Sequence, residues 1–279
     1  MSVEVKLPDL RIVDIRRCIL HEESDPLRAG RIAERLKEEK TLGNPPIVGE
    51  VAGCRDLIVL DGANRVTAAE VLGLKALMVQ VVDYTDPGVK LQRWHHLLID
   101  FDPERFLAAL RQIPDATVRL VARPVAEKAL AAGKAAAVVV LHETCFHVVQ
   151  AAAGVNPAIV MRAITDIYKR KTQIYRIADE RIDLLVSRAH ENVTAVILFP
   201  GFKKTDLARI ALHEGEKLPP GISRHFIPNR ALKVNLPLSF LTGRATLKER
   251  NAKLEAFISK KVRDKKIRAY PEPTVIFDE

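Results

Sequence analysis

The chain of 279 residues is long enough for one large domain or two of ordinary size, and its 48% hydrophobic content is typical of a folded globular protein. No segment approaches the roughly 20 apolar residues needed to span a bilayer, and the N-terminus lacks the apolar region of a signal peptide. Composition therefore excludes a disordered chain, and we expect a cytoplasmic protein with no membrane partner.

The net charge of +9, from 44 Lys and Arg against 35 Asp and Glu, favours anionic partners such as nucleotides, phosphorylated metabolites or nucleic acid. DNA is possible but not favoured, because the densest basic run, KKVRDKK at 260–266, contains no aromatic side chains for base stacking. The three cysteines, Cys18, Cys54 and Cys145, are odd in number and widely spaced, which excludes a disulfide framework and a zinc ribbon.

Residues 1–100 are predicted to form a compact β-α-β-β-α-β domain. One helix begins at Asp25, a favourable N-cap residue that Pro26 follows, and a second helix over 63–72 is closed by Gly73. The alternating or apolar segments between them predict strands over 10–20 and 76–84, a hairpin over 47–60, and a closing strand over 88–98.

Residues 101–279 are predicted to form a second domain that completes the substrate site, so the expected fold class is mixed α/β. Apolar runs predict strands over 135–143 and 194–202, and Asn156 followed by Pro157 predicts a helix start. A polar, proline-rich loop over 217–230 precedes a final helix.

The segment LDGANR places an acid, a glycine and an arginine where a strand is predicted to turn into a helix. The first amides of a helix have no internal partners, so such an end can bind an anion, and Arg65 adds a cation suited to phosphate. Asp61 would repel a phosphate unless a cation such as Mg²⁺ bound both. The alternative is that Asp61 caps the helix and Arg65 makes a surface ion pair, and one glycine does not decide between these interpretations.

Four segments in order give the chain a resemblance to a known family. They are LHEESDPLR at 20–28, LDGANR at 60–65, LQRWHH at 91–96 and LPPGISRHFIPNRALKVNLPL at 218–238. Together they resemble the free L-serine kinases of the ParB/sulfiredoxin-like superfamily, which include archaeal ADP-dependent enzymes and the ATP-using kinase of the staphyloferrin B cluster. The chain differs from the archaeal pattern at Ala63 and Asn64, where those enzymes have two histidines.

The resemblance implies an N-terminal ParB/sulfiredoxin-like nucleotide-binding domain and a Mg²⁺-dependent kinase that makes O-phospho-L-serine from free L-serine, with ATP or ADP as donor. It implies that Glu22 accepts the serine proton and that Asp61 binds Mg²⁺, although the adjacent Glu23 competes for the role of base. The residues implied for the nucleotide phosphates are Gly62, Ala63, Asn64 and Arg65. Those implied for the substrate are Trp94, His95, Arg224, His225 and Arg230.

Each of these residues also has an ordinary structural interpretation. Trp94 could be a partly buried core residue, and the three residues of the 217–230 loop could form a basic surface. A second function is also open, that of a ParB-like nucleotide-binding regulator that binds DNA. It would show sequence-specific DNA binding that survives moderate salt.

Overall fold

The computed structural model describes residues 7–142, 144–178, 193–212 and 217–269, and this part of the chain has the predicted mixed α/β fold. The helices are α1 (Pro26–Glu39), α2 (Ala63–Val71), α3 (Pro103–Arg111), α4 (Arg123–Ala131), α5 (Pro157–Tyr168), α6 (Lys204–Leu212) and α7 (Leu247–Arg263). Within the described ranges, no helix is both long enough and apolar enough to cross a membrane.

Fifteen strands accompany these helices in the described residues. They are β1 (Asp9–Asp14), β2 (Cys18–Leu20), β3 (Thr41–Leu42), β4 (Ile47–Glu50), β5 (Leu57–Asp61), β6 (Ala76–Asp83), β7 (Lys90–Arg93), β8 (His95–Ile99), β9 (Ala116–Val121), β10 (Ala137–Leu141), β11 (Cys145–Ala151), β12 (Gln173–Ile177), β13 (Val193–Leu198), β14 (Ser223–Phe226) and β15 (Leu236–Pro237).

The first sheet has the order β1-β6-β4-β5-β2, with α1 and α2 packed against each other beside it. The predicted hairpin is confirmed, since β4 and β5 pair antiparallel. Asp25 caps α1 as predicted: its side chain accepts hydrogen bonds from the Leu27 and Arg28 amides. These features depend on neighbouring residues, which is why the sequence pattern finds them.

The prediction of a single strand over 10–20 is wrong. The chain forms β1, then a 3-10 turn over Ile15–Arg17, then β2, and the two strands lie at opposite edges of the first sheet. Asp14 starts the turn, because its carboxylate accepts a hydrogen bond from the Arg16 amide. A short polar side chain that bonds to a nearby amide offers the backbone an alternative to continued pairing.

The second sheet has the order β12-β8-β13-β10-β11-β9. Its strands alternate between two hydrophobic clusters, as the side chains of a strand must when both faces are covered. Helices α3 and α5 cover one face, where Phe106 and Ile164 are fully buried, and α4 covers the other face with Ala126 and Leu130.

The predicted closing strand over 88–98 does not belong to the first sheet. Its first half, β7, pairs with β14, and its second half, β8, is an inner strand of the second sheet. The Trp94 amide between them donates to the Ile222 carbonyl. The chain thus crosses between the sheets at Trp94.

Helix α7 returns to the first sheet, where Asn251 bonds to the backbone of Ile12. A domain division at residue 100 stays a proposal.

Candidate active site

A cleft of about 960 Å³ lies between the two sheets, and most of the predicted site residues line it. Its lining includes Glu22, the corner over 61–65, Trp94 and the three predicted residues of the 217–230 loop, Arg224, His225 and Arg230. Seven cations line it, namely Arg28, Arg65, Lys169, Arg170, Arg176, Arg224 and Arg230, against the four acids Glu22, Glu23, Asp25 and Asp61. The surplus of three positive charges suits an anionic ligand.

The corner between β5 and α2 leaves the start of the helix uncapped by any side chain. Gly62 is the N-cap, with a φ of 98° that favours glycine, and no side chain bonds to the first turn. Asp61 therefore does not cap α2, and that interpretation of the carboxylate is wrong. The first amides of α2 are left for a ligand in the cleft.

Arg65 folds back over Gly62 and fills the space where a side chain would be. A Cβ on Gly62 would lie 3.0 Å from the Arg65 Nε atom. The guanidinium also donates to the carbonyls of Asn44 and Pro45, at 3.1 and 3.0 Å. Burial lowers the pKa of Arg65, Asp61 opposes this, and the charges of Arg230 and Arg28 add to it. Glycine is thus needed here for the arginine as well as for the backbone.

Asp61 lies between two of these arginines. Its Oδ2 atom is 3.3 Å from Arg65 and 3.0 Å from Arg230. Asp61 would repel a phosphate unless positive charge lay between the two. The guanidinium groups of Arg65 and Arg230 supply that charge. In the described part of the chain, no group of three or more His, Cys, Asp or Glu side chains is arranged to hold a metal. A single carboxylate still fits Mg²⁺, which binds few protein ligands together with substrate phosphates.

Asn64 joins the starts of two helices. Its Oδ1 atom accepts a hydrogen bond of 2.7 Å from the amide of Asp25, the N-cap of α1. The side-chain oxygen is therefore occupied, and the side-chain NH₂ is the group of Asn64 that could meet a phosphate. Ala63 lines the cleft and offers no polar side-chain atom, so its contribution would come from its amide.

Glu22 is held by two backbone amides from a distant segment. Its Oε1 atom accepts from the Ser223 amide at 2.6 Å and its Oε2 atom accepts from the Gly221 amide at 3.0 Å. A carboxylate has about four acceptor sites, so each oxygen keeps capacity for another proton donor. Glu23 instead forms an ion pair with Arg162, at 2.8 Å. The geometry favours Glu22 over Glu23 as the group that faces a ligand.

A buried histidine supports this arrangement. His21 donates from Nδ1 to the Val59 carbonyl at 2.8 Å, and its Nε2 atom lies 2.7 Å from the Ser223 hydroxyl. Burial lowers the pKa of His21, so the ring is neutral and Nε2 accepts from Ser223. No local pattern identifies His21 or Ser223 as supports of Glu22, because their partners are far away in the chain.

The predicted substrate residues divide between the cleft and the core. The Arg224 guanidinium lies 4.8 Å from the centre of the Trp94 ring and bonds to Gln92 at 2.7 Å. His225 is buried and bonds to the Tyr84 hydroxyl at 3.0 Å, and burial lowers its pKa to about 3. Arg230 lies with Asp61 on the side of the α2 corner.

His95 is not brought to the cleft, whereas the adjacent His96 lines it. His95 accepts a hydrogen bond from the Phe199 amide at 3.2 Å and lies on the face covered by α4. His96 lies on the opposite face, where its Nδ1 atom accepts from the Tyr168 hydroxyl and its Nε2 atom donates to the Gly221 carbonyl, at 2.7 and 2.9 Å. Burial lowers its pKa to about 4.

The sequence analysis missed several cations of the cleft. Arg28 belongs to the matched segment LHEESDPLR, so a signal existed for it. Arg170 forms an ion pair with Asp25 at 3.3 Å, and Arg176 lies on β12. Neither of these two lies in a matched segment. The pairing of β12 with β8 brings Arg176 to the cleft, and Arg170 follows the end of α5.

Comparison with known proteins agrees with the resemblance in part. No family model matches the chain. An ATP-dependent L-serine kinase from Staphylothermus marinus is 31% identical over 97 residues, which span 35% of this chain and 38% of that relative. A free serine kinase in complex with AMP has a similar fold, with a TM-score of 0.73 and 16% identity over 87% of this chain and 97% of its own. SbnI with a C-terminal truncation, from Staphylococcus aureus, has a TM-score of 0.68 and 19% identity over 91% and 97%.

Proposed function

We propose that this protein is a kinase that transfers a phosphoryl group from ATP or ADP to the hydroxyl of free L-serine, giving O-phospho-L-serine. One observation carries the proposal: Glu22, fixed by two amides, lines the same cleft as the uncapped start of α2. A proton acceptor and a phosphate site that share one cleft are what phosphoryl transfer to an alcohol requires. The partial match to the serine kinase from Staphylothermus marinus supports serine as the acceptor.

The donor phosphates would bind at the α2 corner. The amides of Ala63 and Asn64 would donate to phosphate oxygens, and Arg65 and Arg230 would neutralise their charge. Arg28, whose charge acts on Arg65, would add a third guanidinium. Phosphoryl transfer depends mainly on positioning and charge neutralisation, which this corner can supply.

The acceptor hydroxyl would donate its hydrogen bond to Glu22. As the new O–P bond forms and the bond from the transferred phosphorus to the nucleotide's bridging oxygen breaks, the hydroxyl proton would pass to the carboxylate, whose orientation is fixed by the Gly221 and Ser223 amides, and ADP would leave from ATP or AMP from ADP. Asp61 would hold Mg²⁺ when the ion is bound, and the ion would supply further charge neutralisation at the phosphates. Trp94, with Arg224 stacked on it, would form a wall of the acceptor pocket.

The test is a ³¹P NMR time course of the purified protein with L-serine, run separately with ATP and with ADP, with Mg²⁺ and with EDTA in its place. We expect the phosphoserine resonance to grow with at least one donor and to need Mg²⁺. Absence of phosphoserine with both donors would disprove the kinase. Turnover that continues in EDTA would disprove the role of Asp61 as a magnesium ligand.

A further inference from the structure

Two of the seven cations in the cleft have no partner among the described residues. Arg65, Arg170 and Arg230 form ion pairs with acids of the cleft, Lys169 pairs with Asp166, and Arg224 bonds to Gln92. Arg28 and Arg176 make no ion pair and no side-chain hydrogen bond within the described ranges. Arg28 lies on the phosphate side, beside Arg65. Arg176 has no role in the arrangement proposed so far.

Arg176 lies directly behind the glycine that holds Glu22. Gly221 has a φ of 79°, and a Cβ on it would lie 2.5 Å from the Cζ and Nε atoms of Arg176. The guanidinium therefore packs on the bare Cα of Gly221. The amide of the same glycine donates to Glu22, and its carbonyl accepts from His96. One residue thus sets the distance between the carboxylate of Glu22 and the guanidinium of Arg176.

The two groups lie close enough together to bind one amino acid. The close packing on Gly221 places the Arg176 guanidinium within about 8 Å of the Glu22 carboxylate. A serine whose hydroxyl bonds to a carboxylate, and whose own carboxylate bonds to a guanidinium, spans roughly 6–9 Å between those groups. An arginine fork is also the side chain best shaped to bind a carboxylate with two hydrogen bonds.

We propose that Arg176 binds the α-carboxylate of the acceptor and so selects amino acids over alcohols that lack this group. The inference rests on the proposed function, because it assumes that the acceptor hydroxyl meets Glu22. It adds Arg176 to the substrate residues that the resemblance implies in the 217–230 loop, namely Arg224, His225 and Arg230. Those three are already engaged, by Gln92 and Trp94, by Tyr84, and by Asp61 respectively.

The experiment compares L-serine with L-serinamide, which keeps the hydroxyl and amine but lacks the carboxylate. Dissociation constants come from ligand-observed NMR in the presence of the nucleotide, and KM and kcat come from the phosphorus assay. The proteins are the wild type, Arg176→Gln, Arg176→Lys and, for comparison, Arg224→Gln. Thermal unfolding of each variant checks that it is folded, which the exposed position of Arg176 at the edge strand β12 favours.

We expect the wild type to bind serine about 10- to 100-fold more tightly than serinamide, as the loss of a charged hydrogen-bonded pair implies. Arg176→Gln should bind both equally, Arg176→Lys should keep part of the preference, and Arg224→Gln should keep most of it. The KM for the nucleotide should stay within about threefold of the wild type, the scatter that a side chain outside the phosphate site produces.

Three results on serine binding would overturn the inference: a preference for serine that survives in Arg176→Gln, a preference lost in Arg224→Gln instead, or no binding of serine. A rise in the nucleotide KM of Arg176→Gln would also overturn it, by assigning Arg176 to the donor. A wild type that binds serine with the expected preference but makes no phosphoserine would disprove the kinase and leave the assignment of Arg176 standing.

Discussion

The two walls of the cleft differ in how far along the chain their residues lie from one another. The phosphate wall takes Asp61, Gly62 and Arg65 from one continuous turn between β5 and α2. The wall that carries Glu22 needs the amides of Gly221 and Ser223, which are 199 and 201 residues away. The first wall is specified by a local turn, whereas the second exists only when distant segments have docked.

This difference predicts that nucleotide binding and turnover differ in their sensitivity to mutation. A local turn forms with a small loss of chain entropy, so nucleotide binding should tolerate changes elsewhere in the protein. Orientation of the proton acceptor depends on the docking of the 217–226 segment, so turnover should be the more fragile property. Substitutions on each wall should therefore separate binding from turnover.

The largest effect is expected for Glu22→Gln. The amide keeps nearly the same shape but cannot accept a proton, so kcat should fall about 10²- to 10⁴-fold. The Kd for the nucleotide, measured by calorimetry, should change by less than about threefold.

Glu23→Gln is the matched control for this change, because it alters the adjacent residue, whose partner is Arg162. Its kcat should stay within about tenfold of the wild type. If Glu23→Gln proved as damaging as Glu22→Gln, or more so, the assignment of the base would have to move to Glu23.

A smaller effect is expected for Gly62→Ala on the phosphate wall. The left-handed φ of 98° costs an alanine about 1–2 kcal/mol, and its Cβ would also displace Arg65. Gly53→Ala is the matched control, because Gly53 has a φ of 76° and nothing within 4 Å of a Cβ. Urea denaturation should show both variants destabilised, with a rise in the nucleotide Kd in Gly62→Ala alone. An unchanged Kd in Gly62→Ala would mean that Arg65 does not contact the phosphates.

Mild acid should lower the free energy of unfolding, because three histidines near Glu22 are buried. Burial lowers the pKa of His96 to about 4 and that of His225 to about 3, and it lowers that of His21 as well. Unfolded histidines take up protons near pH 6.5, so the unfolded state binds more protons as the pH falls from 6.5 towards 4. Stability should therefore be full above pH 6.5 and fall below it.

The slope can reach about 1.4 kcal/mol per pH unit for each such histidine. Urea denaturation between pH 7 and pH 5, where most carboxylates stay ionised, measures it. His96→Asn should make the dependence shallower, since one of the titrating rings is gone. A variant with the full slope of the wild type would show that His96 is not buried in its neutral form.

The smallest effect on stability is expected for Arg162→Ala. Its ion pair with Glu23 is about one-third exposed, so the loss of unfolding free energy should stay below about 1 kcal/mol. Arg162 also donates to the Lys217 carbonyl and so ties the Glu23 segment to the 217–226 segment. We therefore expect kcat to fall severalfold, whereas the KM for the nucleotide should not change. Arg119→Ala, on the outer strand β9, serves as the control. Equal kcat and KM values in the two variants would show that Arg162 does not help to position Glu22.

The sequence by itself determined the features that depend on neighbouring residues. The Asp25 cap, the hairpin of β4 and β5, and the start of α2 after Gly62 follow from side chains within a few positions of one another, whereas only the structure shows that Asp61 does not cap α2. These local signals allow an anion site at the start of α2 but do not by themselves decide for it.

The tertiary structure decided which segments meet. Alternation over 88–98 predicts a strand but not its partner, and the chain divides it between β14 and the second sheet. Neighbouring side chains of a strand point to opposite faces, so the same pairing turns His96 towards the cleft and His95 away from it. The two amides that hold Glu22 and the position of Arg176 likewise depend on contacts between distant segments, whose energies no local pattern of residues records.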